Sequence, residues 1–150
     1  MAATEVSARD FIIAVESATP GTWIESEGEN SFKLNPSENE ETADRTKFSS
    51  GGAYEQWVMQ RGASIEVEGL RQSDDITGVQ LPGQARCEVL GVAVAAASLG
   101  RIRFRHPLDT LWKIWTCTVS LGEQGGGNND TESWKVTFTR SGATTTAAVS

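Results

Sequence analysis

The sequence predicts a mainly β fold: an antiparallel β-sandwich or barrel with one flanking α-helix. Three observations predict it. Apolar and polar residues alternate with a period of two in several separate stretches. Clusters of Gly, Pro, Asn, Asp and Ser divide those stretches, as turns require. A single stretch, residues 82–98, repeats its apolar positions at helical spacing. Sheets that are apolar on one side need a second layer to cover that side, hence the sandwich or barrel.

Taken in order, residues 7–16 (SARDFIIAVE) read as a strand with Phe11, Ile13 and Val15 on one face and Ile12 and Ala14 on the other. Apolar residues on both faces suit a central strand. Thr19, Pro20 and Gly21 turn the chain into a second strand at 22–27, with Trp23, Glu25 and Glu27 on one face, and a short third at 31–34. Residues 35–53 (NPSENEETADRTKFSSGGA) are polar throughout and read as a long early loop. Loops beyond about 15 residues are uncommon in compact domains and tend to be functional. Residues 54–72 read as two strands broken near Arg61 and Gly62. In the second, Ile65 and Val67 alternate with Ser64, Glu66 and Glu68.

The helix follows. Pro82 suits its first turn; Cys87, Leu90, Val94 and Ala97 recur on one side, and Gly100 marks its end. Residues 101–105 alternate Ile102 and Phe104 with Arg101, Arg103 and Arg105. Residues 111–121 place Trp115, Cys117, Val119 and Leu121 opposite Thr116, Thr118 and Ser120. Residues 132–140 place Trp134, Val136 and Phe138 opposite Lys135, Thr137 and Thr139. The glycine-rich 122–130 (GEQGGGNND) joins the last two strands as a hairpin loop. This gives seven or eight strands in one domain, 1–142, followed by a flexible, frayed tail at 143–150.

Composition narrows the function. The net charge is −7 and the pI is about 4.7. That sign disfavours tight nucleic-acid binding, which draws most of its affinity from neutralising phosphates. The stretch 89–99 is too short and too rich in alanine to cross a bilayer, so no membrane insertion is expected. Residues 1–9 are polar with no apolar run behind them, which points to synthesis in a cytosol. Cys87 and Cys117 form no CxxC pair and read as buried thiols.

Catalytic patterns are weak. His106, the only histidine, sits at a strand-to-turn junction, and no GxSxG elbow accompanies it. The acid pairs Glu40-Glu41 and Asp74-Asp75 lie in solvated loops, with nothing to separate their pKa values. The glycines at 125–127 precede a strand rather than the helix a phosphate cradle needs, and the Asn129, Asp130 and Glu132 spacing does not match a calcium loop. The chain is therefore expected to be no enzyme and to take no cofactor or metal. Charge is more telling. Residues 22–56 carry eight acids against three bases, and 101–115 carry four bases against one acid. Two readings stand: cross-strand pairing within one subunit, or complementarity between copies.

The strand ARDFIIAVE, the tract FKLNPSENEETADRTKF followed by EQWVMQRG and EVEG, the helix after Pro82 and Gly83, and above all TCTVSLGEQGGGNNDTESWKVTFTRSG resemble the major tail tube proteins of long, non-contractile-tailed bacteriophages. The resemblance spans residues 5–142 and is most specific over 117–142. It implies a virion protein that closes into hexameric rings and stacks them into a hollow tube for genome ejection. It implies assembly in the host bacterial cytoplasm. Partners would be other copies, the tape measure protein and the tail tip or terminator proteins, with DNA crossing the lumen untethered. It also implies that the early loop contacts a neighbouring ring or subunit through Asn35, Pro36, Glu38, Glu40, Glu41 and Asp44, with Phe48 and Trp57 as anchors.

The stripe Arg101, Arg103 and Arg105 is assigned to the same interfaces. Candidates for the lumen are Ser64, Glu66 and Glu68, or Thr116, Thr118, Lys135, Thr137 and Thr139. Six copies at −7 would carry about −42 per ring, and an acidic lumen would let DNA slide. The alternatives are an inner tube from a contractile tail or injection machine, and a monomeric sugar-binding sandwich using Trp23, Trp57 and Trp112.

Overall fold

Period-two alternation accounts for the strands that carry the core. The computed structural model describes residues 3–5, 7–26 and 29–149; Glu27, expected on the second strand, lies outside them. The strands are β1 (Ile12–Glu16), β2 (Trp23–Glu25), β3 (Glu29–Asn35), β4 (Glu41–Asp44), β5 (Gln56–Gln60), β6 (Ser64–Leu70), β7 (Leu99–Arg105), β8 (Leu111–Leu121), β9 (Ser133–Arg140) and β10 (Thr145–Ala148). One helix, α1 (Pro82–Val92), stands between β6 and β7.

Eight strands form one antiparallel sheet in the order β2-β1-β7-β8-β9-β6-β3, with β10 also paired to β8. Among the described residues β2 and β3 remain its edges, so no barrel is closed by hydrogen bonds. The sheet instead folds over. Phe11, just before β1, stacks on Phe32 of β3 with ring centroids 3.8 Å apart. Inward side chains then merge into one core: Ile13, Val15, Ile65, Val67, Ile102, Phe104, Trp115, Cys117, Val119, Trp134, Val136 and Phe138, joined by Cys87 and Leu90 of α1. This is the one-helix β-sandwich that the alternation predicts.

Three expectations need correction. First, the helix stops at Val92 rather than 98. Ala93 is extended, a 3-10 turn covers Ala95–Ser98, and Val94 is 79 % exposed. Gly100 packs against the Leu90 side chain, so the chain must double back to enter β7. The alanines offer no side-chain contact that would hold a longer helix.

Second, the tail is not frayed at 145–148. β10 pairs with the first residues of β8, from Thr145 opposite Ile114 to Ala148 opposite Leu111. β9 reaches only as far as Cys117 on that side, leaving those backbone groups in need of partners. Gly142, at φ +92°, lets the chain step across the gap and continue as β10.

Third, the early loop is not irregular. β4 and β5 form their own two-stranded sheet, with Thr42 opposite Val58 and Asp44 opposite Gln56. It prolongs the β3–β6 pair beyond the main sheet, because β3 leads into β4 and β5 leads back into β6. At its base Asn39 takes a positive φ of 59°. Gly62 lies so close to the Glu38 carbonyl that no Cβ could be added without a shift. We refer to residues 38–61 as the arm.

Candidate self-association surfaces

The arm has no core of its own. Every residue of β5 is exposed, including Trp57, Val58 and Met59, and Phe48 and Tyr54 near the tip are exposed as well. Arg45 lies over the Trp57 ring at 4.5 Å. The tip is held by local polar bonds. The Ser50 hydroxyl donates to Glu55 at 2.7 Å, and the Asp44 carboxylate accepts the Thr46 N–H at 2.8 Å. That backbone bond holds the Asp44 carboxyl below the usual range. At the base, Glu38 accepts from the Asn35 amide at 3.0 Å, and Glu40 pairs with Arg61 at 3.5 Å. Asn35 also caps the turn through the Ser37 N–H, holding Pro36 between them. A lone hairpin of this kind is only marginally stable in water, so the exposed aromatics call for a partner surface.

The arginine stripe lies on the outer face of β7. Register sets Arg103 beside Ala14 of β1 and Ile114 of β8, with Trp112 also on β8 and Trp23 on β2, the strand beyond β1. The Arg103 guanidinium sits between the two indoles, 4.8 Å from Trp23 and 4.3 Å from Trp112. Arg105 lies 4.8 Å over Trp112, and Arg101 lies 5.4 Å over Trp23. Such contacts contribute from about 0.5 kcal/mol when exposed to about 2 kcal/mol when desolvated. Arg101 is also paired with Glu16 at 2.8 Å, so cross-strand pairing within one subunit accounts for it. Arg105 donates to the His106 and Pro107 carbonyls at 3.3 and 3.4 Å.

The polar residues of β3, β6, β9 and β8 share one outward face. Ser64 stands beside Thr139, which stands beside Thr118; Glu66 faces Thr137, and Glu68 faces Lys135. Thr116 follows on β8 next to Arg101. The two sets of lumen candidates are therefore a single surface rather than alternatives. Its charges balance: Lys135 binds Glu66 at 3.1 Å and Glu68 at 3.6 Å, and Lys33 stands across from Glu66. The Lys135 hydrogen bond lowers the Glu66 pKa, and the same bond raises that of Lys135. The acidic excess expected of a lumen does not reside on this face.

Other marked residues have structural places. His106 packs edge-on to Phe11 at 5.9 Å, beside the Phe11–Phe32 stack. Burial pushes the thiols of Cys87 and Cys117 up to about 12. Of the tryptophans proposed for sugar binding, Trp112 is buried, Trp23 is half-buried beneath the arginines, and Trp57 is exposed. Gln84 went unnoticed in the sequence. It is buried, its amide donates to the Leu70 carbonyl at 2.8 Å, and its oxygen accepts the Gln72 N–H at 3.1 Å. The only signal was its place one turn before Cys87 on the same helix face.

No protein-family model and no curated protein matches the chain. Solved structures do. A chain solved in the tail of an empty gene transfer agent particle, helically refined with C6 symmetry, aligns at a TM-score of 0.73 and 20 % identity, covering 96 % of this chain and 100 % of that one. The two chains share a fold. A chain from the virion of a native gene transfer agent particle aligns at 0.71 and 19 % identity, with the same coverage. The likeness covers the whole length of both neighbouring chains.

Proposed function

We propose that this chain is a structural tail protein whose copies close into hexameric rings, and that the rings stack into the hollow tube of a phage-type tail. The observation that carries the reading is the arm: a hairpin with exposed Phe48, Tyr54, Trp57 and Met59, on a fold shared with chains solved in the tail and in the virion of gene transfer agent particles. The C6 symmetry of one such tail supports six copies per ring.

In this reading the arm reaches a neighbouring copy, and its apolar side chains leave water only on assembly. The Ser64–Glu66–Glu68 and Thr116–Thr118–Lys135–Thr137–Thr139 face lines the channel. Hydroxyls and cancelled charges present no basic excess to phosphate, so DNA passes without being held. The tape measure protein and the tip and terminator proteins are the further partners, and the virion is the site of action. The chain's role is mechanical rather than catalytic.

Negative-stain electron microscopy of the concentrated protein, seeded with tail tips, tests this. Stacked rings with an open channel are expected. A chain that stays monomeric with seeding would overturn the reading.

A further inference from the structure

Most charged side chains of the arm and of the arginine stripe are already engaged within the chain. On the arm, Glu38 holds Asn35, Glu40 pairs with Arg61, Asp44 caps Thr46 and Glu55 takes the Ser50 hydroxyl. Among the described residues, Glu41 alone of the arm's acids makes no polar side-chain contact, and it is exposed. On the stripe, Arg101 has Glu16, and Arg105 has two carbonyls. Arg103, among the described residues, makes no hydrogen bond or ion pair; its Nε is buried without a partner.

Arg103 is also the one of the three that lies over both the Trp23 and the Trp112 ring. A guanidinium offers a planar donor fork that can take a carboxylate through two parallel bonds. Beside this clamp, Leu108 and Leu111 expose apolar surface at the β7–β8 turn. The arm brings a free carboxylate together with Trp57 and Met59, so both charge and apolar character match.

Resting on the ring-and-tube reading above, we infer that the Trp23–Arg103–Trp112 clamp is the receiving site for the arm of a second copy, with Glu41 of that copy as the carboxylate it takes. The contact is head-to-tail: one surface of the molecule meets a different surface of the next. Such an interface propagates or closes a ring and does not stop at a two-fold dimer.

Charge exchange tests it. Glu41→Arg, Arg103→Glu and the double exchange would be compared with wild type by sedimentation of assembled material, with thermal melting as the check on folding. Glu41→Arg changes an exposed side chain, so its melting should match wild type while its assembled fraction falls. Truncated close charge pairs at interfaces cost enough to lower assembly by about tenfold or more. Arg103→Glu should fall likewise, and the double exchange should recover most of the loss, which is the signature of direct coupling. Normal assembly of Glu41→Arg, or a double exchange that recovers nothing, would overturn the inference while leaving the tube reading intact. A wild-type chain that never assembles would overturn the tube reading itself, and this inference with it.

Discussion

The folded-over sheet and the arm are built from the same kind of strand yet held by opposite means. In the sheet, Ile65, Val67, Trp134, Val136 and Phe138 are buried almost completely on the inner face, while Glu66, Glu68 and Lys135 stay wet on the outer one. In the arm, β5 leaves Trp57, Val58 and Met59 exposed, with Arg45 lying over the Trp57 ring. Burial of apolar area holds the first region at about 25 cal/mol per Å². The second has only its ladder and a few polar bonds at the tip. One region stores the stability of the single chain, and the other, in the function proposed above, stores the capacity to associate.

This contrast can be broken by substitution. Ile65→Ala, inside the sheet, should destabilise the monomer by about 2–5 kcal/mol through lost contacts and a residual cavity, read by denaturant unfolding. Gln84→Ala should cost about 1–2 kcal/mol, because the buried amide's bonds to the Leu70 carbonyl and the Gln72 N–H are lost, each worth about 0.5–1.5 kcal/mol net. Phe48→Ala, at the arm tip, should move monomer stability by less than about 0.5 kcal/mol while sharply reducing sedimentable assembly. If Phe48→Ala instead lowered monomer stability as much as Ile65→Ala, the arm would be part of the core after all.

The buried thiols sharpen the comparison through pH. In the fold both titrate near 12 because of burial, against an ordinary value of 9.0. Their folded pKa values are raised, so the stabilisation is complete below pH 9 and is lost as pH climbs from there towards 12. At pH 8 a thiol reagent should therefore label Cys87 and Cys117 only after denaturation, since reaction needs an exposed thiolate. Rapid labelling of the native chain would show that α1 opens away from β8. The Asp44 cap behaves in the opposite sense. Its folded pKa is depressed, so what it contributes to the arm is present above the ordinary value of 3.8 and disappears as pH falls through the folded value.

How much of this was legible in the sequence follows the same division. The strands β6, β7, β8 and β9 announce themselves, because a half-buried strand must alternate and these do. The arm was recognisable as unusual but not as a hairpin. QWVMQ reads as a strand and ETAD as loop, but neither has a buried face to reveal that they pair, and the pairing follows their continuity with β3 and β6. β10 was hidden for a related reason: Thr145–Ala148 is a strand because β8 extends past the end of β9, which no local pattern reveals. The arginine stripe was visible by charge alone. That Arg101 is spent on Glu16 while Arg103 is clamped by two indoles depends on strand order, which places β1 and β8 beside β7 and β2 one strand beyond β1.

Hydrogen exchange, followed peptide by peptide in the monomer and in assembled material, tests the central claim most directly. The amides of β6 and β9 should be strongly protected in both states, as core strands are. Those of β4 and β5 should exchange quickly in the monomer and become protected on assembly. An arm already protected in the isolated chain, or one that stays unprotected within rings and tubes, would contradict the claim that a second copy completes it.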